Sequence, residues 1–354
     1  MGAFYESIIR PTLFRGDAEE VHERALGWLK MLSGMGPALA LMEKYNRPSR
    51  GAPIELFGLT FPNAVGLAAG FDKNAQCWQA MAALGFGHVE IGTVTAQEQP
   101  GNQKPRVFRL PEHEAVINRM GFPNEGAEAV AKRLANGPSA RKRRIPLGIN
   151  IGKSRVTSID QAVDDYLASY NLLADHADYF AINVSSPNTP DLRQLQQKNY
   201  LTGLVGAVIE ADRDRARKLG KERIPILVKI APDLTFRELD DVIESSLEAG
   251  ANGIIATNTL VERPFDLGDK DETGGLSGRP IHQRSIKIVN YIHRSVGAKL
   301  PIIGVGGIVD ERSAGDFFDA GAQLIQVYTG MIYRGPFFAK ELAQALSWQA
   351  EEWV

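Results

Sequence analysis

The 354-residue chain reads as an α/β protein, a (β/α)8 TIM barrel preceded by a small helical extension. Three observations predict it. From about Pro53 onward, short apolar runs alternate with helix-like segments, at residues 64–68, 88–94, 146–151, 179–184, 225–230, 253–257, 301–305 and 324–328. These runs are continuously apolar rather than alternating, as strands covered on both faces must be. Nearly every run also ends in polar or glycine-rich residues, and the C-terminal strand ends are where such barrels carry their sites.

The elements follow in order. Residues 1 to about 50 form the extension. Phe4, Tyr5, Ile8, Ile9, Leu13 and Phe14 make one apolar cluster. A helix follows Asp17, with Val21, Ala25, Leu26, Trp28, Leu29 and Leu32 apolar, and residues 35–42 add a further apolar stretch. Two short amphipathic helices rich in Trp, Phe, Leu and Met could lie in a membrane interface, while composition alone slightly favours a hairpin packed on the main domain. The first barrel run leads into a helix over residues 75–84. The second leads into a long excursion, 95–125, in which residues 106–110 and 115–118 read as two strands around Pro111-Glu112-His113-Glu114. A hairpin over the barrel mouth is expected there, and long barrel insertions are commonly functional. Helices are expected at 158–177, 201–219, 235–249, 280–296 and 310–320. Thr235 with Glu238 spells a capping box. Gly250 and Gly321 stand where helices should stop.

Composition narrows the function. A net charge of −2 leaves no footprint for nucleic acid, and Arg141-Lys142-Arg143-Arg144 reads as a solvated loop before a strand. The single cysteine, Cys77, excludes an internal disulfide and a cysteine-based zinc cluster, and reads as a packing residue. No metal site is expected. No stretch approaches the roughly 18 apolar residues of a membrane span, and the N-terminus has no secretory-signal pattern.

The chemistry lies at the run ends. Asn183-Val184-Ser185-Ser186-Pro187-Asn188-Thr189 follows a buried strand with two amides, two serine hydroxyls and a stiffening proline. Amides carry donors and acceptors, so they can read a planar, uncharged, hydrogen-bonding ring. The first run ends in Ala68-Ala69-Gly70-Phe71-Asp72-Lys73-Asn74, whose small residues let a flat ring approach the backbone. Thr93, Asn150, Lys229 and Thr257-Asn258-Thr259 end other runs. Gly304-Val305-Gly306-Gly307 and Tyr328-Thr329-Gly330 stand where barrels often build a phosphate site from backbone N–H groups. Asn118, Asn150, Asn183, Asn188 and Asn258 should therefore converge on one opening. An amide-lined pocket with a phosphate clamp and one buried cation suits flavin mononucleotide (FMN).

Five motifs together resemble one family: Ala69-Gly70-Phe71-Asp72-Lys73-Asn74, Ile117-Asn118-Arg119-Met120-Gly121-Phe122, the 183–189 segment, Gly274-Gly275-Leu276-Ser277-Gly278 and Ile303-Gly304-Val305-Gly306-Gly307-Ile308. In this order they resemble the dihydroorotate dehydrogenases, specifically the membrane-associated, quinone-using class 2 enzymes. Asp17-Ala18-Glu19-Glu20-Val21-His22 in the extension looks like that class too. The resemblance implies FMN-dependent oxidation of dihydroorotate to orotate, in pyrimidine biosynthesis, with electrons passed to a membrane quinone. It implies that Ala69, Gly70, Phe71, Asp72, Lys73, Thr93, Asn150, Asn183, Lys229, Thr257, Gly278, Gly307, Tyr328 and Thr329 surround FMN. Lys73, Asn118, Arg119, Met120, Gly121, Phe122, Asn183, Asn188, Asn258 and Thr259 would bind substrate. Ser186 would be the base, a position where class 1 enzymes have cysteine. His22, Arg109 and Tyr328 match positions associated with a quinone site between the N-terminal helices and the barrel. One departure is visible: Pro123 follows Phe122 where the family more often has asparagine.

On this reading residues 1–50 are a membrane and quinone-tunnel segment and 51–354 the catalytic barrel. The protein would be a monomer lying on the cytoplasmic face of a bacterial inner membrane, since no Arg-rich transit segment precedes His22. Three other readings of the same residues stand beside it. Other FMN barrel reductases share the phosphate site, but not the Asn-Ser-Ser-Pro-Asn cluster together with the apolar N-terminus. A Schiff-base lyase would use Lys229 as its nucleophile. A membrane-surface flavoprotein without turnover would have no use for the reactive positions. Serine is a poor base at its own pKa, and its motif holds no carboxylate or histidine to activate it.

Overall fold

The computed structural model describes residues 2–46, 52–138 and 142–352. A two-stranded antiparallel ribbon comes first, β1 (Ile54–Leu56) and β2 (Leu59–Phe61), turning through Phe57 and Gly58. The barrel strands are β3 (Val65–Leu67), β4 (His88–Val94), β7 (Leu147–Ile151), β8 (Tyr179–Asn183), β9 (Ile226–Ile230), β10 (Gly253–Ala256), β12 (Ile302–Val305) and β13 (Leu324–Val327). All pair in parallel, and β13 closes on β3. The eight strands fall on the eight expected runs.

Two cores result, because alternate strand residues face opposite ways. The outward residues of the strands pack under helices such as Ala162–Leu173, Lys198–Leu219 and His282–Val296. The inward set is smaller: Ala68, Tyr179, Ala181, Leu227, Ile255, Ile303 and Leu324, stoppered by Phe61 from β2. Helix ends follow the expected chemistry. Thr235 and Glu238 form the capping box of Phe236–Ala249, and Gly250 ends that helix in the left-handed region at φ 84°.

The excursion after β4 holds the expected hairpin, β5 (Val107–Leu110) with β6 (Ala115–Asn118). A third strand that the sequence reading did not anticipate, β11 (Gly275–Gly278), pairs with β6. This small sheet has its own core of Leu110, Ala115, Ile117, Leu260, Leu276 and Ile281. The basic run departs from expectation at Arg143. Its side chain is buried, paired with Asp178 at 2.9 Å and lying over Trp78, while Arg144 is solvated and Arg141 lies outside the described residues.

The N-terminus forms helical turns over Gly2–Phe4, Tyr5–Ile9 and Arg10–Leu13, then helices Ala18–Ser33 and Gly36–Asn46. Asp17 caps the first long helix by accepting from the N–H groups of Glu19 and Glu20 at 2.9 and 3.0 Å. The two long helices meet at a 103° bend. Among the described residues no single helix is long and apolar enough to cross a membrane. Their faces are divided: Leu26, Leu29 and Met42 pack against the barrel, while Trp28, Met31, Met35, Leu41 and Tyr45 are exposed.

Candidate active site

A cavity of about 630 Å³ opens at the C-terminal ends of the barrel strands and continues beneath helix Ala18–Ser33. Its wall is built from strand ends. β3 runs into Ala68, Ala69 and Gly70, which give a floor without bulky side chains; β8 supplies Asn183 and Ser186; β10 supplies Thr257, Asn258 and Thr259. The small sheet contributes Asn118 and Gly278, and the loop after it Met120, Gly121 and Phe122. Gly306, Gly307, Tyr328, Thr329 and Gly330 close the rim.

The amides are tied into one network. Asn183 Nδ2 donates to Thr93 Oγ1 at 2.9 Å and to Asn150 Oδ1 at 3.1 Å. Asn258 Nδ2 donates to Ser185 Oγ at 2.9 Å. Asn188 Nδ2 donates to the Asn118 carbonyl at 3.1 Å, joining the 183–189 loop to the small sheet. Ser186 is buried, and its Oγ accepts from the Asn188 N–H at 3.3 Å. Among the described residues no carboxylate or histidine is bonded to it. On the same loop the Thr189 hydroxyl is buried without a hydrogen-bond partner among the described residues.

Lys229 lies inside the barrel and pairs with Glu90 at 3.1 Å. Glu90 is wholly buried and also accepts from Asn150 Nδ2 at 2.9 Å, Gln326 Nε2 at 2.9 Å and Tyr179 OH at 3.4 Å. Burial, then Glu90, pushes the Tyr179 hydroxyl well above its usual value, so it stays a donor. Neither Glu90 nor Gln326 was picked out from the sequence. Glu90 lies within an otherwise apolar run, and the available signal is a carboxylate at an inward position of a barrel strand.

At the other side of the cavity, Lys73 Nζ donates to the Gly70 carbonyl. Burial, then the nearby Arg106 charge, lowers its pKa to about 8, against the opposing pull of Glu19 and Asp72. The ammonium is therefore still the main form at neutral pH. His22 faces Phe71 edge-on with ring centroids 5.0 Å apart, and Phe71 meets Tyr328 at 6.0 Å. Burial, then Lys73, lowers His22 to about 3, so it is neutral. Burial raises Tyr328 to about 12. Arg109 lies over the Phe14 ring and donates to the carbonyls of Leu13 and Gly16, holding the start of the long N-terminal helix.

Three of the expected site residues do not line the cavity. Asp72 spends both carboxylate oxygens on the N–H groups of Gln76 and Cys77, at 2.8 Å each, and so fixes the turn that leads into helix Trp78–Ala83. Asn150 stands behind Thr93 and Asn183 and bonds to both. Arg119 turns outward to Glu272 at 2.8 Å. The remaining expected residues all contribute to the wall. At Pro123, which has no N–H to give, Phe122 adopts φ 55° and Asn124 anchors the loop. Its Nδ2 donates to the Phe122 carbonyl at 2.9 Å and to Thr95 Oγ1 at 2.7 Å.

The donor set suits a planar heterocycle with an anionic tail. The ring region offers amides, threonine hydroxyls and the Lys229 ammonium, and the inward carboxylate of Glu90 is already taken. The rim offers backbone. Gly278 and Gly307 have φ of 94° and 78°, and a Cβ there would stand 2.2 Å from the Glu114 carbonyl oxygen and 2.6 Å from the His282 Cβ. Only glycine lets these peptides form the cradle.

Known proteins of similar sequence and fold identify the family. The family model described as "Dihydroorotate dehydrogenase" matches residues 52–349. A "Dihydroorotate dehydrogenase (quinone)" of Salinispora arenicola is 50% identical over 348 residues, covering 96% of this chain and 98% of that one. One of the same name from Gloeobacter violaceus is 46% identical over 344 residues, covering 97% and 94%. The crystal structure of ligand-free DHODH from Eimeria tenella superposes with a TM-score of 0.81 at 38% identity, covering 92% of this chain and 93% of that one. The chain belongs to the dihydroorotate dehydrogenase family.

Proposed function

We propose that this cavity binds FMN and (S)-dihydroorotate together, and that the protein oxidises dihydroorotate to orotate and passes the electrons to a membrane quinone. The activity itself is that of its family: a quinone-dependent flavoprotein oxidoreductase of pyrimidine biosynthesis. One observation carries the reading. The amide cluster with Ser186, the buried Lys229 and the glycine cradle share one cavity, and that cavity runs on beneath the N-terminal helix without a wall between.

FMN, when bound, supplies the acceptor for the hydride leaving C6 of the substrate. The residues for it are the 68–70 floor and Phe71, with Thr93, Asn183, Thr257 and Lys229 at the ring, and Gly278, Gly307, Tyr328 and Thr329 at the phosphate. Lys73 pairs with the substrate carboxylate. Asn118, Asn183, Asn188, Asn258 and Thr259 read its ring edge, with Met120, Gly121 and Phe122 packing over it. Ser186 Oγ takes the C5 proton. Asp72, Asn150 and Arg119 act by holding these groups rather than by touching either ligand.

Residues 1–50 serve as the membrane and quinone segment and 51–354 as the catalytic barrel; the boundary itself lies outside the described residues. His22, Arg109 and Tyr328 line the quinone end. The protein lies as a monomer on the cytoplasmic face of a bacterial inner membrane, through the exposed apolar side chains of its two long N-terminal helices. The test is an absorbance spectrum of the purified protein followed by anaerobic dihydroorotate. Bleaching of the flavin band, restored by a quinone analogue, is expected; a yellow protein that dihydroorotate leaves unbleached overturns the reading.

A further inference from the structure

The cavity amides look alike sterically whichever way round they sit, since an amide oxygen and NH2 group have nearly the same size. Something must choose their direction. Following the hydrogen bonds inward leads to a single group that cannot donate.

An ionised carboxylate accepts and cannot donate, and Asn150, Tyr179, Lys229 and Gln326 all present donors to Glu90. Asn150 must turn Nδ2 toward Glu90 Oε1, at 2.9 Å. Its Oδ1 then faces the cavity side, where it accepts from Thr93 Oγ1 at 2.6 Å and Asn183 Nδ2 at 3.1 Å. Asn183 has now spent its NH2 inward, so its Oδ1 faces outward and accepts from the Ser185 hydroxyl at 3.0 Å and from Asn258 Nδ2 at 3.4 Å. Asn258 in turn accepts from the Thr259 N–H at 2.8 Å through its own Oδ1. Reversing any amide in this chain would set acceptor against acceptor in a buried site, and such unmet groups are costly.

We propose that Glu90, which lines neither ligand's part of the cavity, is a positioning residue that fixes the donor–acceptor polarity of Asn183 and Asn258 through Asn150, and so selects a planar pyrimidine carboxylate. This rests on the function proposed above. Lys229 is the second group Glu90 holds, on the same oxygen as Asn150. The two roles separate experimentally, because Asn150 can be removed while the Lys229–Glu90 pair remains.

The experiment uses the purified holoenzyme and measures orotate Kd from the change in flavin absorbance, alongside flavin content. Wild type must first bind orotate; if it does not, the proposed function fails and not this inference. Glu90→Gln, which can donate as well as accept, is expected to raise orotate Kd about tenfold, the loss of roughly one correctly made hydrogen bond. Asn150→Leu is expected to do the same with flavin retained. The double variant should resemble either single one rather than show about a hundredfold loss, because both cut the same relay. A wild-type Kd in Glu90→Gln, or multiplying effects in the double variant, overturns the inference. Where Glu90→Gln yields no holoenzyme, Asn150→Leu decides: flavin held with orotate weakened supports it, and unchanged orotate binding overturns it.

Discussion

Ser186 lies at the centre of the site without an acid–base partner, so its contribution must be read from position rather than from pKa. Removing its hydroxyl should leave the amide network and Lys229 in place, because among the described residues only the Asn188 N–H bonds to it. Ser186→Ala is therefore expected to bind flavin normally and to slow flavin reduction by dihydroorotate about 10²- to 10⁴-fold, the usual worth of a positioned base. Stopped-flow reduction at the wild-type rate would rule the role out. Lys73 gives a prediction with a pH sign. Its pKa is lowered to about 8, so the cation that meets a carboxylate is present below that pH and is lost above it. Orotate Kd should be flat below about pH 8 and rise roughly tenfold per pH unit beyond it, and Lys73→Met should bind more weakly with that slope gone. A steady Kd from pH 7 to 10 in wild type counts against Lys73 as the carboxylate partner. The sequence made Asn183, Asn188, Asn258 and Ser186 legible because each breaks an apolar run just as it ends. It concealed Glu90, which lies within a run, and it could not say that Asp72 and Asn150 serve the backbone and other amides behind the wall.

At the level of elements, the long N-terminal helix is attached to the barrel mouth by one buried ion pair. Arg106 donates through Nε to both Glu19 oxygens at 3.1 Å and through Nη2 at 2.7 Å, while its Nη1 holds the carbonyls of Pro100 and Asn102. Burial alone would raise the Glu19 pKa, but Arg106 and Lys104 together bring it below the ordinary value. A depressed carboxylate stabilises fully above its unfolded pKa and loses that contribution as pH falls through the folded value, so the clamp should loosen only in acid. Glu19→Ala leaves Arg106 buried and unpaired, a change that costs about 3–5 kcal/mol when such a pair is broken. The expected result is a lower unfolding midpoint in urea and impaired quinone reduction, with flavin reduction by dihydroorotate largely kept. Equal loss of both half-reactions would make the helix part of the substrate site instead. The barrel strands were legible because burial on both faces writes itself as an unbroken apolar run. β11 was not, since Gly275-Leu276-Ser277-Gly278 has one apolar residue and becomes a strand only by pairing with β6.

For the molecule as a whole, the distribution of exposed apolar surface sets the orientation. Met31, Leu41 and Tyr45 on the two long N-terminal helices and Met35 in the bend between them are exposed, while Leu26, Leu29 and Met42 pack against the core. This exposed set supports the interfacial arrangement proposed above, although composition alone leans slightly to a packed hairpin. The cavity runs out beneath the first of these helices, where Ala25, Trp28 and Leu29 line it, so on the proposed orientation a lipid-soluble acceptor would enter from the membrane rather than from water. Fully burying one such side chain is worth about 1.5–3 kcal/mol, and partial immersion of several gives reversible binding. Met35→Glu with Leu41→Glu should therefore release the protein from sedimenting lipid vesicles. Neither residue lines the cavity, so dihydroorotate should still reduce the flavin at the wild-type rate and a water-soluble quinone analogue should still reoxidise it. Turnover with a long-chain quinone embedded in vesicles should fall at least about tenfold, because the acceptor and the opening no longer share a surface. Undiminished vesicle binding, or undiminished turnover with the embedded quinone, would show that these helices do not set the membrane-facing side.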